Sequence, residues 1–313
     1  MDVQMYLDRI NYKGTREPSL ENLRKLCLCH VTHVPQDTID MFGGKMKKLD
    51  LKKIFNDIVV NKRGGFCYEA NGLFCWLLKE LGFGNVTIFQ ASAFQAAADK
   101  FHFEFDHLMM KVTFPDSDYL VDIGYGAPSF FMPFKFEDKF EHHEMSGMYR
   151  LRKVSEHVYY VEKHKKKLWT KKGTTDTDYK LTSSTRDDGN TTSKYCVDPN
   201  WNIVFKFSTV PHKYEDFSEA INKHMDPKEF LSNNSFLEIF VEGGALIMWG
   251  TMLIRKRFVG ELTEYIDYEE LWDENINDEK NWERIYSVMK TEFGVEVDFQ
   301  PKLMSRNLHI AAR

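Results

Sequence analysis

The chain has 313 residues, about the length of two average domains, and its 42% hydrophobic and 28% charged residues exclude a disordered or fibrous protein. Lys plus Arg number 42 against 47 Asp plus Glu, leaving a net charge of −5, so a partner bound by neutralising many phosphates, nucleic acid above all, is not expected. Met1 is followed by acidic residues and no apolar h-region, and the most apolar stretch elsewhere, Ala245 to Ile254, is about ten residues against the roughly 20 needed to span a bilayer. Five cysteines, an odd number, point to reduced thiols rather than a disulfide framework. The expectation is a cytoplasmic protein with no membrane partner.

In chain order, Tyr6, Leu7 and Ile10 recur at helical spacing before a break at Gly14, and Ser19 is placed to cap a helix carrying Leu20, Leu23, Leu26 and Cys27. Phe66 to Leu81 predicts a second helix, with Leu73, Phe74, Leu77 and Leu78 on a broad apolar face. From about Asn85 to Phe207 the period falls to two, with strands expected at Val86 to Ala93, His107 to Phe114, Tyr119 to Ile123 and Val158 to Glu162. Gly173 to Lys194, rich in Thr, Ser and Asp, reads as a mobile surface insertion. The last third mixes a helical Tyr214 to His224, strands at Phe236 to Val241 and Ala245 to Ile254, and helical pieces at Tyr268 to Leu271 and Asn281 to Phe293.

Two groupings read as structure more readily than as chemistry. Cys27, Cys29, His30 and His33 are zinc-ligand types, but Cys27 and Cys29 would project about 200° apart on a helix, so no metal is expected. The run Lys163 to Lys172 reads as a solvated hairpin rather than an anion or lipid site. A third grouping differs. Gly64 and Gly65 stand immediately before a strong helix, and Cys67 lies in its first turn, where unpaired N–H groups and the positive dipole end are expected to depress a thiol pKa. Helix position alone does not separate a nucleophile from a buried helix residue. A base within reach would.

His107 opens one strand and Asp122 closes the next, across the turn Pro115 to Asp118. Residues paired across that turn have numbers summing to about 231 or 233, so His107 and Asp122 point to the same face by parity. A plain ladder leaves them two to four residues out of register, roughly 7 to 13 Å, and a bulge or strong twist is expected to close the gap. An aspartate in an apolar run needs a hydrogen-bond partner, and His107 is the nearest. Cys, His and Asp together suffice for thiol nucleophilic catalysis.

At these residues the sequence resembles the arylamine N-acetyltransferases. Arg63 to Phe74 (RGGFCYEANGLF) is similar to the family's Arg-Gly-Gly-x-Cys signature, and it is followed by the histidine strand DHLMMKVTF and by VDIGYG at Val121 to Gly126; the likeness extends from Tyr6 to Lys302. The resemblance implies an α+β, three-domain, cysteine-proteinase-like acetyltransferase fold: a helical domain over 1–83, a β-barrel over 84–207 and an α/β lid with a C-terminal tail over 208–313. It implies ping-pong acetyl transfer from acetyl-CoA, a co-substrate with no bound cofactor, to a small aromatic amine, hydrazine or arylhydroxylamine. Cys67 would carry the acetyl group, His107 act as base and Asp122 orient the imidazole, in a monomer or weak dimer.

The resemblance also places Gln36, Tyr125, Ala127 and Asn307 against the acceptor, and Ser232 and Ser235 near CoA. Where the family commonly has Pro-Phe-Glu-Asn, this chain has Pro35-Gln36-Asp37-Thr38. Gln36 is expected to favour a more polar acceptor, and Asp37 to offer Arg63 a carboxylate that buttresses the loop before Cys67. A thiol hydrolase or transglutaminase-like enzyme would use the same three residues, differing in whether water discharges the acyl-enzyme. A non-catalytic binder of aromatic ligands would need none of the three.

Overall fold

A computed structural model of the chain describes residues 1–172, 179–182, 193–226, 229 and 235–297. Asp2 and Ser19 accept first-turn N–H groups from Met5 and Asn22 and so start α1 (Val3–Arg9) and α2 (Leu20–His33). β1 (Gln36–Asp37), α3 (Ile39–Phe42) and α4 (Leu51–Phe55), which runs into a single π turn at Asn56–Val60, lead to α5 (Cys67–Glu80). Leu73, Phe74, Leu77 and Leu78 of α5 are wholly buried against Tyr6, Leu23 and Leu26 and the first strands that follow.

Those strands are β2 (Val86–Gln95), β3 (Lys100–Phe101), β4 (His107–Thr113), β5 (Asp118–Val121), β6 (Phe134–Lys135), β7 (Glu141–Glu144), β8 (Gly147–Lys153), β9 (Val158–His164), β10 (Lys167–Lys172), β11 (Lys180–Thr182) and β12 (Trp201–Ser208). A 3-10 turn at Tyr214–Phe217 continues into α6 (Ser218–His224), then β13 (Phe236–Val241), β14 (Gly244–Trp249), β15 (Met252–Val259), β16 (Thr263–Glu270) and α7 (Asp278–Phe293). The fold is mixed α+β. One antiparallel sheet, in the order β6-β5-β4-β2-β12-β9-β8-β7 with β3 on β2, nearly closes into a barrel filled by Phe89, Met109, Leu120, Tyr149 and Phe205. A second runs β1-β13-β14-β15-β16-β10-β11, and α7 lays Trp282, Ile285 and Met289 against its Leu237, Met248 and Leu253. Among the described residues no helix is long and apolar enough to cross a membrane.

Four segments depart from expectation. Ala245 to Ile254 is not one strand but the two arms of a hairpin, turning at Gly250 (φ +58°). Tyr268 to Leu271 is not helical: Tyr268 to Glu270 end β16, whose buried positions are Glu264 and Ile266, so a buried glutamate masks the alternation. The run Lys163 to Lys172 is no solvated hairpin, because β9 lies in the first sheet while β10 pairs parallel with β16 in the second, and Lys166 between them is buried. Most of Gly173 to Lys194 falls outside the described residues, but Lys180–Thr182 forms β11 on β10.

Candidate active site

Cys67 is the first residue of α5, and the loop that delivers it is stitched to β1. The Gly65 N–H donates to the Pro35 carbonyl (3.1 Å) and the Asp37 N–H to the Gly65 carbonyl (3.3 Å). A Cβ on Gly64 would lie 2.3 Å from the Pro35 oxygen, so the two strands of backbone approach this closely only with glycine there. Arg63 fixes the same junction by charge. Its Nη2 lies 2.8 Å and its Nε 3.1 Å from Asp37 Oδ2, and its Nη1 lies 3.2 Å from Asp40. Lys47 continues the chain of pairs, 3.3 Å from Asp40 and 3.1 Å from Glu69, which in turn accepts the Phe66 N–H at the helix start (3.3 Å). Asp37 and Asp40 hold the Arg63 guanidinium above its ordinary pKa despite burial.

His107 and Asp122 come from the neighbouring strands. The β4–β5 register pairs Met110 with Val121 and Lys111 with Leu120, so His107 lies two residues out of line with Asp122. No bulge corrects this. β5 ends at Val121, and Asp122 begins a turn in which its Oδ1 accepts the Gly124 N–H (3.0 Å). The carboxylate thereby reaches back, and its Oδ2 lies 2.7 Å from His107 Nε2 with both groups buried. A carboxylate only accepts, so Nε2 carries the proton and Nδ1 is left as the acceptor nitrogen.

Asn71, one turn beyond Cys67 on α5, ties the two halves together. Its Nδ2 donates to Asp122 Oδ1 (2.9 Å) and the Leu108 carbonyl (2.7 Å), and its Oδ1 accepts the Ile123 N–H (3.0 Å). Its role escapes a reading of motifs, yet one signal was available: an asparagine in a strongly apolar helix has to find partners once buried. Gly124 packs against the nucleophile position, since a Cβ there would lie 3.0 Å from Cys67 Cα.

Cys67 is half-buried, and the backbone N–H groups of Tyr68 and Leu108 face its sulfur. The expected depression of its pKa does not occur. Burial, followed by the Asp106 and Asp122 carboxylates, pushes the thiol well up, and the two N–H groups only partly oppose this. A thiolate in this site therefore needs a proton acceptor beside it.

The remaining predicted residues are dispersed around this core. Tyr125 stands edge-on to the His107 ring, centroids 4.9 Å apart, and its hydroxyl donates to the Val204 carbonyl (3.2 Å). Ala127 is buried, its N–H donating to Glu238 and its carbonyl accepting from Lys163 Nζ (2.8 Å). Gln36 is buried opposite Glu238, and its side chain lines, with Asp122, Gly126 and Phe131, a cavity of about 10 Å³, room for one water and not for an aromatic ring. Ser235 is buried ahead of β13, its carbonyl accepting the Gly250 N–H (2.8 Å). Ser232 and Asn307 lie outside the described residues. Cys27 is buried in the helical core, His30 bonds Tyr6 (2.9 Å) and His33 bonds the Cys29 carbonyl (2.9 Å), and no group of three or more metal-ligating side chains occurs among the described residues.

A thiol at a helix start, its sulfur facing the N–H of Leu108, the residue after a strand-borne imidazole held by a carboxylate, equips a protein for acyl chemistry through sulfur. The N-acetyltransferase family model matches residues 19–302. The pineal gland isozyme of arylamine N-acetyltransferase from Gallus gallus is 28% identical over 305 residues, 95% of each chain, and arylamine N-acetyltransferase 2 from Mesocricetus auratus 24% identical over 303 residues, again 95% of each. The solved structure of the Mycobacterium marinum arylamine N-acetyltransferase in complex with CoA is similar in fold, with a TM-score of 0.72 at 22% identity over 94% of this chain and 92% of that one. The chain belongs to the arylamine N-acetyltransferase family and is an acyltransferase enzyme.

Proposed function

We propose that the protein transfers the acetyl group of acetyl-CoA to the amine of an arylamine, hydrazine or arylhydroxylamine by a ping-pong reaction through acetyl-Cys67. The observation that carries this is the buried 2.7 Å contact between His107 Nε2 and Asp122, with Cys67 opening the helix that Asn71 ties to the same carboxylate. His107 takes the Cys67 proton at Nδ1 as the sulfur attacks the thioester carbonyl. The bond from the acetyl carbon to the CoA sulfur breaks, and the departing thiolate receives the proton from His107. The acceptor amine then attacks acetyl-Cys67, gives its proton to His107, and the Cys67 thiolate leaves and is reprotonated. Asp122 stabilises the imidazolium in both halves. Because burial raises the thiol pKa, activation depends on transfer to His107 and not on free ionisation.

Arg63 and Asp37 act at one remove in this reading, holding the loop before Cys67 to β1. Tyr125, Gln36, Ala127 and Asn307 are assigned to acceptor choice, and Ser232 and Ser235 to CoA contact. The division into 1–83, 84–207 and 208–313, the cytoplasmic location, and a monomeric or weakly dimeric state belong to the same proposal. Intact-protein mass spectrometry after mixing with acetyl-CoA, without amine, tests it. One acetyl group should appear on Cys67, persist until an arylamine is added, and be absent from Cys67→Ala at unchanged circular dichroism. Loss of the acetyl group to water within one turnover time would instead indicate a hydrolase, and acetylation of the Cys67→Ala variant at the wild-type rate would remove Cys67 from the mechanism.

A further inference from the structure

The loop that follows Asp122 is gripped at a single residue, through the peptide groups on either side of it, by two ionisable side chains from different sheets. The Ala127 N–H donates to Glu238 on β13, and the Ala127 carbonyl accepts from Lys163 Nζ on β9 at 2.8 Å. The local backbone is shaped to admit the first of these. Gly126 sits at φ +91°, and a Cβ there would lie 2.9 Å from both Glu238 carboxylate oxygens, so only glycine meets both the left-handed conformation and the close approach. Tyr125, the residue before it, stands edge-on to His107. A shift of Ala127 is therefore passed to the ring beside His107 within two residues.

We propose that Lys163 and Glu238 are positioning residues for acetyl transfer, holding Ala127 by its N–H and its carbonyl from different sheets and so fixing Tyr125 against the His107–Asp122 pair. The inference rests on the acetyl-Cys67 reading. The groups around Lys163 bear on its charge. Its ammonium lies 5.2 Å from the centre of the Tyr149 ring of β8, and it faces Lys166 ahead of β10, Lys256 of β15, Glu264 of β16, Glu144 of β7 and Glu238 itself. Burial first, then Lys166 and Lys256, bring Lys163 down to about 7, with Glu264 and Glu144 opposing. With its pKa held near 7, Lys163 grips the Ala127 carbonyl more strongly as an ammonium than as a neutral amine, so the hold loosens as pH rises through about 7. Glu238 moves the other way, its carboxyl raised by burial against the pull of Lys256, the Ala127 N–H and Lys163.

The test uses the full chain with Lys163→Met, Lys163→Arg and Glu238→Gln. Two rates are followed against pH from 6 to 9: single-turnover acetylation of Cys67 by acetyl-CoA, and alkylation of Cys67 by iodoacetamide with no donor present. Lys163→Met should slow both about tenfold and remove an inflection near pH 7 that the wild type shows; Lys163→Arg should recover most of the rate but not the inflection; Glu238→Gln should slow both at least threefold. Folded Lys163→Met with the wild-type rates and pH profile overturns the proposal, as does Lys163→Arg as slow as Lys163→Met, which would reduce Lys163 to packing. If Lys163→Met does not fold, Glu238→Gln at wild-type rates is the overturning result. A wild type that alkylates but never acetylates refutes the acetyl-Cys67 reading, while the alkylation rates still decide the positioning role.

Discussion

Asn71→Ala removes one side chain and three buried hydrogen bonds: to the Leu108 carbonyl at 2.7 Å, to Asp122 Oδ1 at 2.9 Å and from the Ile123 N–H at 3.0 Å. Asp122 Oδ1 retains the Gly124 N–H, so the two groups left bare are the Leu108 carbonyl and the Ile123 N–H. An unpaired buried donor or acceptor costs about 1–3 kcal/mol, and a water entering the vacated volume would bring the pair toward the lower end, about 2–4 kcal/mol together. For a chain of this size that corresponds to a fall in Tm on the order of 3–6 °C. The rate of Cys67 acetylation should fall further than stability requires, because Asp122 loses the tie that aligns it with α5. Asn71→Asp separates the two effects. The introduced carboxylate repels Asp122 at pH 8, whereas in its protonated form it can donate to Asp122, so activity relative to wild type should improve as pH falls toward 5. Thermal melts followed by circular dichroism, with single-turnover mass spectrometry, read both quantities. An Asn71→Ala protein that melts within 1 °C of wild type and acetylates at its rate would refute the reasoning.

Two further predictions concern the helical part and the loop before Cys67. Burial holds the His30 pKa down to about 3, against an ordinary value of 6.5. The unfolded chain therefore binds a proton that the folded chain refuses, and stability should drop as pH falls from about 6.5 toward about 3; a His30→Asn variant that melts with the same pH slope as wild type over that window would contradict this. Arg63→Ala leaves the buried Asp37 carboxylate with the Ile39 N–H and the more distant Lys47 charge among the described residues and should cost about 3 kcal/mol in urea unfolding. Arg63→Lys should recover only part of that loss, because an ammonium cannot reproduce the fork that meets Asp37 and Asp40 together. An unchanged urea midpoint in Arg63→Ala would show that the pair does not buttress the loop.

What was legible in the sequence was local. Two glycines before an apolar helix identify the start of α5, and parity puts His107 and Asp122 on one face, as the observed register sum of 231 at Met110 and Val121 requires. What closes their gap is not in the ladder arithmetic, because alternation describes residues within a strand and Asp122 has already left it. Two of the misread segments, Tyr268 to Leu271 and Lys163 to Lys172, share one cause. Hydrophobic patterning counts Glu264 as a surface residue, whereas the structure buries it against Lys256 (3.1 Å) and Lys166 (3.5 Å), which lower its pKa to about 2. A salt-bridged interior looks to a periodicity argument like solvent-facing loop, and the same blindness turns the segment around the buried Lys166 between β9 and β10 into a hairpin.

The thiol of Cys67 carries the same lesson into function. A helix N-terminus is visible from sequence and lowers a thiol pKa by a small amount, since the dipole acts only within the first turn. What raises it is burial first and then two carboxylates far along the chain: Asp106 and Asp122 lie 39 and 55 positions beyond Cys67. The ties that align the site also join separated residues, 26 positions apart from Asp37 to Arg63, 51 from Asn71 to Asp122 and 111 from Ala127 to Glu238. Contacts at such separations form only once helix, barrel and second sheet have met. Cys67 and His107 can therefore be picked out by residue type and spacing, but the protonation of the thiol is a property of the assembled core. In this chain the assembled core reverses the local expectation, so the reactivity of Cys67 should track His107 rather than the helix that carries it.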